Sequence, residues 1–247
     1  MDSGAGGIGV LREVKKLLPT EQFLYFGDTA NAPYGERSAE TVLELTHKAA
    51  EPLIARSKAL VLACNTATAV AADALRAAHP DFPIIGMEPA LLPAARDAAV
   101  WAKSPFIAVL ATAATLREKK FTDLCKKCEK NATVWPISAP RIVRLVEKGL
   151  ADSSEMDDYL YALAAQFPAP PDAIVLGCTH FPFAENAFRR VFKGIPLYDG
   201  AVGTAKEVRR RLAEGNLLAP DKAVGGVTVF SSNPKSLPLL VKLYDSR

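Results

Sequence analysis

The sequence predicts an α/β fold in which parallel sheets are covered by helices. Six short apolar runs have the length and composition of buried strands: FLYFG, ALVLA, PIIGM, FIAVLA, AIVLG and VTVF. Longer amphipathic stretches alternate with these runs, and the first has its apolar side chains on one helical face, at Ile8, Leu11, Val14 and Leu18. Fully apolar strands that alternate with helices are typical of parallel sheets.

Two distant stretches share one pattern, which predicts two similar domains related by pseudo-symmetry. KALVLACNTATAVAADAL and DAIVLGCTHFPFAENAF each contain a strand, a small residue, a cysteine, one or two hydrogen-bonding residues and then a helix. Cys64 and Cys178 occupy equivalent places in this pattern. Because the carboxyl ends of parallel strands face the ligand crevice, we expect both cysteines beside a binding site and near a helix N-terminus.

The composition excludes several classes of protein. At 247 residues, 49% hydrophobic and 23% charged, the chain has ample apolar content for one large or two small domains. The net charge of +3 is small, and the densest basic run, at 117–130, is typical of a solvated helix face, so we expect no nucleic-acid partner. Asn65 and several threonines interrupt the most apolar stretch, so we expect no membrane partner. Since nothing resembles a signal peptide, we expect a cytoplasmic protein with reduced thiols.

The two matched cysteines favour acid/base chemistry. A helix N-terminus stabilises negative charge and lowers the pKa of a thiol from its free value of about 8.5. Inversion of a stereocentre that carries a hydrogen needs two near-equivalent groups, one to remove the proton and one to return a proton to the opposite face. Two alternatives stay open. In the first, both cysteines are buried structural residues. In the second, Cys178 and His180 catalyse acyl transfer, which leaves Cys64 without a role.

A second thiol pair, Cys125 and Cys128, forms a C-x-x-C run. Zinc needs four ligands, and the sequence has no second C-x-x-C run and no His pair, so we predict no metal site. A spacing of three places both thiols on one face of a predicted helix, where we interpret them as a structural pair. A thiol-based redox or metal-binding protein is the competing function.

The chain opens MDSGAGGIGVLREV, in which Gly4, Gly6 and Gly9 spell G-x-G-x-x-G. That pattern indicates a dinucleotide-binding turn only when a strand leads into it, and only three residues precede the first glycine. Asp28 ends the next strand about twenty residues further on, where a ribose-binding acid would lie. Dinucleotide binding is therefore an alternative, although it leaves both matched cysteines unexplained.

Five motifs, in this order, resemble the glutamate racemase family of the aspartate/glutamate racemase superfamily: DSGAGG at 2–7, GDTANAPYG at 27–35, ACNTA at 63–67, VRLVE ending at Glu147, and LGCTHFP at 176–182. The resemblance covers nearly the whole chain. It implies a two-base racemase that needs no cofactor and makes D-glutamate for peptidoglycan; aspartate or a related acid is the alternative substrate. The family tends to form dimers, so we expect a homodimer.

The resemblance further implies two α/β domains that face each other across a cleft holding the active site. We place the first domain at residues 1–92 and 200–247 and the second at 93–199. Cys64 and Cys178 would be the paired acid and base, with Asp2 assisting Cys64 and with Glu147 and His180 assisting Cys178. The substrate site would be lined, largely through backbone N–H groups and hydroxyls, by Ser3, Pro33, Tyr34, Gly35, Asn65, Thr66 and Thr179.

The chain departs from the family pattern at its beginning. Members of the family begin with an apolar strand that runs directly into the Asp-Ser-Gly turn, and Met1 stands where that strand would end. Loss of a central strand should cost more than the ~5–15 kcal/mol that typically stabilises a domain. We therefore expect the true start of the protein to lie upstream of Met1.

Overall fold

The computed structural model describes residues 1–245, which form eight strands and eleven α-helices. The strands are β1 (Gln22–Gly27), β2 (Leu60–Leu62), β3 (Ile84–Gly86), β4 (Phe106–Ala111), β5 (Thr133–Ser138), β6 (Ala173–Leu176), β7 (Leu197–Asp199) and β8 (Gly226–Ser231). The helices are α1 (Gly7–Leu17), α2 (Ala39–Ile54), α3 (Asn65–Ala78), α4 (Leu91–Ala98), α5 (Ala113–Arg117), α6 (Lys119–Cys128), α7 (Pro140–Glu147), α8 (Ser154–Ala164), α9 (Glu185–Val191), α10 (Ala201–Glu214) and α11 (Leu237–Asp245). None of these helices is long and apolar enough to cross a membrane.

The chain divides into two compact units, and the first consists of Met1–Met87 with Ala201–Arg247. Its strands form two parallel pairs, β1 with β8 and β2 with β3. Helices α1 and α10 share an apolar cluster with Ala63 and Ile85, and this cluster includes Val10, Val14, Val208 and Leu212. A separate cluster contains Met1 and packs the other side chains of β2 against α3.

The second unit, Glu88–Gly200, contains a four-stranded parallel sheet in the order β5-β4-β6-β7. Successive residues of β4 enter different clusters: Ile107 and Val109 pack on one side, Ala108 and Leu110 on the other. All four side chains are fully buried because helices cover both faces of the sheet. Double coverage explains why the central strands are apolar along their whole length, and the expected α/β class with parallel sheets is confirmed.

The boundary between the units differs from the one expected at 92/93. That position lies inside α4, whereas the structure changes units between Met87 and Glu88. The reason is packing, because Leu91 joins the apolar cluster of the second unit together with β4 and β6. Gly200, expected in the first domain, likewise belongs to the second unit.

Two strands, β5 and β7, were not predicted from the sequence. β5 contains Pro136 and carries an exposed Trp135, because it lies at the edge of its sheet, where a proline is tolerated. β7 is the other edge strand and spans only three residues. Neither has the uninterrupted apolar run by which the six predicted strands were recognised.

Gly177 connects the end of β6 to the segment that follows, and the structure predicts that this position accepts only glycine. A Cβ atom there would lie 2.9 Å from the carbonyl oxygen of Leu110 and 3.0 Å from Cβ of Ala111. We expect Gly177→Ala to lower the free energy of unfolding by about 1–3 kcal/mol, since the backbones must separate. Urea unfolding followed by circular dichroism measures the change.

Gly203→Ala is the matched control, since Gly203 lies in α10 and a Cβ there would meet nothing within 4 Å. Alanine should stabilise the helix by up to about 1 kcal/mol. Equal effects of the two substitutions would contradict the close approach at Gly177.

Candidate active site

Cys64 lies where β2 passes into α3. Two residues separate the strand's end at Leu62 from the first helical residue, Asn65, and Cys64 is the N-cap. Its Sγ accepts a hydrogen bond from the backbone N–H of Ala67 at 3.5 Å, and the residue is only 5% exposed. The thiol therefore takes the place of a capping side chain, where the helix dipole favours negative charge on sulfur.

The glycine-rich turn at the start of the chain lies beside this thiol. Ser3 Oγ is 3.4 Å from Cys64 Sγ, within hydrogen-bond range. The neighbouring Asp2 is fully buried, and its Oδ2 accepts a hydrogen bond from the backbone N–H of Gly4 at 2.9 Å. Tyr25 donates its hydroxyl proton to the carbonyl oxygen of Gly4 at 2.7 Å. Asp2 and Tyr25 thus hold the turn that presents Ser3 to Cys64.

The loop after β1 supplies a second wall of the same site. Tyr34 is buried in a small cluster with Cys64 and donates its hydroxyl proton to Asp28 Oδ2 at 2.7 Å. Asn31 donates to both oxygens of the same carboxylate at 3.0 Å. Burial and the hydrogen bond to Asp28 raise the pKa of Tyr34 far above its ordinary value, so the phenol stays a donor. Pro33, half-buried, and Gly35, buried, flank Tyr34 in this loop.

Asn65 has a buried side chain without a hydrogen-bond partner among the described residues. Only 3% of the residue is exposed, and neither the amide nitrogen nor the amide oxygen is paired. A buried unpaired amide is unfavourable and uncommon in native proteins. This one adjoins Cys64 at the first turn of α3, where its donor and acceptor would suit a polar ligand. Thr66 next to it is buried too.

Cys178 occupies the corresponding place in the second unit. Gly177 follows β6, and Cys178 comes next, 7% exposed and packed in the cluster with Phe181. Its Sγ lies 3.8 Å from Nδ1 of His180, and Thr179 between them is buried. A single 3₁₀ turn, Phe181–Ala184, and then α9 continue the chain. A buried strand again ends in a cysteine followed by a helical turn.

His180 joins this thiol to a carboxylate. Its other ring nitrogen, Nε2, lies 2.7 Å from Oε1 of Glu147, the last residue of α7. Burial by itself lowers the pKa of His180, but the hydrogen bonds and negative charges of Cys178 and Glu147 outweigh burial and raise that pKa well above 6.5. The imidazolium form is therefore favoured, with the sulfur of Cys178 on one side and the carboxylate of Glu147 on the other.

The expected site residues thus fall into two groups, one in each unit. The first unit brings together Asp2, Ser3, Tyr34, Cys64, Asn65 and Thr66, and the second brings together Glu147, Cys178, Thr179 and His180. The sequence analysis missed the supporting roles of Tyr25 and Asp28. The supporting role of Asp28 could have been predicted from the sequence, since it is a polar residue directly at the end of an apolar strand.

The structure also bears on the two competing functions. The carboxylate of Asp28 already accepts hydrogen bonds from Asn31 and Tyr34, so it is occupied within its own loop and is not presented to a ribose.

Cys125 and Cys128 are free thiols at the end of α6, and burial raises the pKa of both, that of Cys125 to about 11. In residues 1–245 no group of three or more His, Cys, Asp or Glu side chains could hold a metal ion.

Comparisons with known proteins show the family of this chain. Residues 10–208 match the model of the Asp/Glu/Hydantoin racemase family. The chain is 40% identical over 250 residues to a glutamate racemase of Clostridium botulinum, which covers 99% of this chain and 95% of the relative.

Two solved structures of racemases are similar to the whole chain. One is glutamate racemase from Thermus thermophilus in complex with β-chloro-D-alanine, with a TM-score of 0.81 and 34% identity over 100% of this chain and 91% of that one. The other is the Escherichia coli glutamate racemase in complex with L-glutamate and the activator UDP-MurNAc-Ala, with a TM-score of 0.82 and 29% identity over 98% and 92% of the two chains. This chain therefore belongs to the Asp/Glu/Hydantoin racemase family and is a racemase.

Proposed function

We propose that this chain interconverts L- and D-glutamate without a cofactor, with Cys64 and Cys178 as the paired acid and base. The observation that carries the proposal is the repeated placement of a buried thiol between a parallel strand and a helical turn, once in each unit. Glutamate is proposed as the substrate because the relatives at 40% identity are glutamate racemases.

Two thiols meet the proton balance of racemisation. One thiolate removes the α-proton and becomes a thiol, and the electron pair of the broken C–H bond stays on the substrate. The second thiol then protonates the α-carbon from the opposite face and becomes a thiolate. Because reactant and product are mirror images, the two cysteines exchange roles in the reverse direction.

Each thiol has its own means of carrying negative charge. Cys64 caps α3 and lies beside the hydroxyl of Ser3, so the helix N-terminus and a hydrogen bond stabilise its thiolate. Cys178 faces His180, whose imidazolium form is supported by Glu147. In this proposal His180 and Glu147 assist Cys178, and Asp2 orders the turn that carries Ser3.

Substrate binding is assigned to polar groups around the two thiols. The α-proton of an amino acid is weakly acidic, so donors must stabilise the charge that develops on the α-carbon and its carboxylate. The unpaired amide of Asn65 is the leading candidate, since a ligand would satisfy its buried donor and acceptor. The other proposed binding groups are Ser3, Pro33, Tyr34, Gly35, Thr66 and Thr179.

The cellular setting follows from the proposed reaction. D-Glutamate is a component of peptidoglycan, so we propose a cytoplasmic enzyme that supplies it for the cell wall and acts as a homodimer. Glutamate itself is the partner, and the proposal needs neither nucleic acid nor membrane. Aspartate, the other amino acid in the name of the family, is the competing substrate.

The first test is proton NMR of L-glutamate in D₂O, followed together with optical rotation. The wild-type protein should replace the α-proton by deuterium and racemise the substrate, whereas Cys64→Ser and Cys178→Ser should each lower the rate of racemisation by about 10²–10⁴-fold, because a hydroxyl is a poor base. Cys125→Ser is the control, since that thiol lies outside both groups of site residues. Exchange with L-aspartate alone would replace glutamate as substrate, and exchange with neither acid would contradict the proposal.

Asn65→Leu tests the binding role of the unpaired amide. Leucine has a similar volume and removes no hydrogen bond within the protein, so the free energy of unfolding should be unchanged or higher. The KM for glutamate should rise by roughly 10-fold or more as a hydrogen bond to the substrate is lost.

Thr68→Val is the matched control on the same helix. The hydroxyl of Thr68 donates to the carbonyl oxygen of Leu62 and accepts from the N–H of Met87, both buried. This variant should lose about 1–3 kcal/mol of stability with KM unchanged. An Asn65→Leu protein that loses stability and keeps its KM would assign Asn65 a structural role instead.

Glu147→Gln tests the charge that supports His180. Because the folded pKa of His180 is raised, protonated His180 stabilises the fold fully below its ordinary pKa of about 6.5, and this stabilisation is lost as pH rises through the folded pKa. Removal of the carboxylate charge lowers that pKa, so the loss of stability and the alkaline limb of kcat/KM should both move to lower pH. Glu155→Gln, which changes an exposed partner of Arg141, should move neither. Identical profiles for Glu147→Gln and wild type would contradict the role of Glu147.

A further inference from the structure

The loop that carries Tyr34 runs from Asp28 to Arg37, between β1 and α2. Among the described residues of this loop, regular structure is limited to a 3₁₀ turn, Tyr34–Glu36. One backbone hydrogen bond closes a turn at its beginning, where Asn31 N–H donates to Asp28 O at 3.0 Å. Another closes the turn at its end, where Arg37 N–H donates to Tyr34 O at 3.1 Å. Each bond is local, and neither fixes one turn relative to the other.

The side chain of Arg37 joins the two turns. Its Nε donates to the carbonyl oxygen of Asn31 at 2.7 Å, six residues back in the chain. Arg37 is half-buried, and hydrogen bonds from a charged donor are among the stronger ones in proteins. The guanidinium therefore closes a ring of the chain that contains Pro33 and Tyr34.

Asn31 carries this contact on to the hydroxyl of Tyr34. The amide nitrogen of Asn31 donates to both carboxylate oxygens of Asp28 at 3.0 Å. Oδ2 of Asp28 in turn accepts the hydroxyl proton of Tyr34 at 2.7 Å. Because Arg37 holds the carbonyl oxygen of Asn31, the backbone of Asn31 is fixed while its amide orients the carboxylate. A continuous series of hydrogen bonds thus leads from Arg37 to Tyr34, which packs in a cluster with Cys64.

Arg37 itself lies at the base of a packed helix. It directly precedes Ser38, the N-cap of α2. Val42 of the same helix is fully buried in the cluster that contains Tyr34 and Cys64. Since α2 supplies one wall of that cluster, the side chain of Arg37 fastens the loop to a helix that is already fixed beside the thiol.

We propose that Arg37 is a positioning residue for the racemase reaction and holds Tyr34 in place beside Cys64. It acts through the hydrogen bond from its Nε to Asn31, and its charge is not what the reaction requires. The inference rests on the proposed function, in which Cys64 is an acid/base group and Tyr34 lines the substrate site. Attraction of the anionic substrate by the guanidinium charge is the competing role.

Three substitutions separate the donor from the charge. Glutamine has its amide nitrogen at the chain position of the arginine Nε, so Arg37→Gln keeps the donor and loses the charge. Arg37→Lys keeps the charge and has a methylene at that position, and Arg37→Met has neither donor nor charge. In the NMR assay with L-glutamate, Arg37→Gln should retain most of the wild-type kcat/KM. Arg37→Lys and Arg37→Met should each lower kcat/KM by roughly 10-fold or more.

Arg76→Met is the matched control, because Nε of Arg76 also donates to a backbone oxygen in the first unit, that of Ile84 at 3.1 Å. This variant should lose stability and keep its kcat/KM, which separates a general loss of stability from the effect of Arg37. All variants are compared at a temperature at which circular dichroism shows them to be folded. If Arg37→Met does not fold, Arg37→Gln and Arg37→Lys make the same comparison.

A double-mutant cycle with Tyr34→Phe tests whether Arg37 acts through the hydroxyl of Tyr34. Phenylalanine keeps the ring and removes the proton that Asp28 accepts, so Arg37→Met should lower kcat/KM by less than about 3-fold in the Tyr34→Phe protein. The full loss in both backgrounds would overturn the inference.

Equal losses for Arg37→Gln and Arg37→Met would also overturn it and would assign the role to the charge. A wild-type protein that racemises glutamate, with Arg37→Met and Arg37→Lys equally active, would overturn this inference alone. A wild-type protein that racemises no amino acid would overturn the proposed function together with it.

Discussion

The hydrogen bonds of Met1 and Asp2 are the constraint on which the first unit depends. They link the β1–β8 pair to the β2–β3 pair, and they fix the point at which the glycine-rich turn leaves the sheet. Since Ser3 is the next residue, the same bonds bring its hydroxyl to Cys64. The surroundings of the Cys64 thiol therefore depend on the backbone hydrogen bonds of Met1 and Asp2. A change that weakens these hydrogen bonds would also move the hydroxyl of Ser3 away from Cys64, the proposed acid/base residue.

Cys64 and Cys178 have the same place between a strand and a helical turn, but different groups lie beside the two sulfur atoms. Each follows a buried parallel strand and precedes a helical turn, and the backbone N–H of Ala67 donates to the sulfur of Cys64. Cys64 caps a helix of 14 residues, whereas Cys178 precedes a short 3₁₀ turn and faces a buried imidazole instead. In the proposed mechanism, a long helix at Cys64 and a histidine paired with Glu147 at Cys178 would each stabilise a thiolate away from water. A catalyst that must act on both enantiomers can use different surroundings if both favour the thiolate to a similar degree.

The sequence predicted the central strands and both cysteine positions because these depend on local pattern. FIAVLA and AIVLG are apolar throughout since both faces are covered, and Cys64 and Cys178 follow directly from the repeated strand-cysteine-helix order. Strand β5 was not predicted because an edge position relaxes the requirement for apolar residues and admits Pro136. That Glu147 and His180 both assist Cys178 was implied only by resemblance, and their hydrogen bond to each other was not predicted, since the two residues are 33 positions apart and nothing local relates them. The unpaired state of Asn65 and the boundary before Glu88 are properties of packing, which no short motif encodes.

The buried polar side chains near Cys64 differ in whether the protein itself satisfies their hydrogen bonds. Asp28, Asp2 and Tyr25 are buried, and each has hydrogen bonds within the protein, so their function is complete before any ligand arrives. Asn65 is equally buried, and its amide has no partner in the part of the chain that the structure describes. Folding alone should select against such a group, because an apolar residue of the same size would be more stable there. Its presence beside Cys64 supports the proposal that Asn65 binds the substrate. Thr68 on the same helix is equally buried, but its hydroxyl donates to the carbonyl oxygen of Leu62 and accepts from the N–H of Met87, so burial alone does not leave a polar side chain unpaired there.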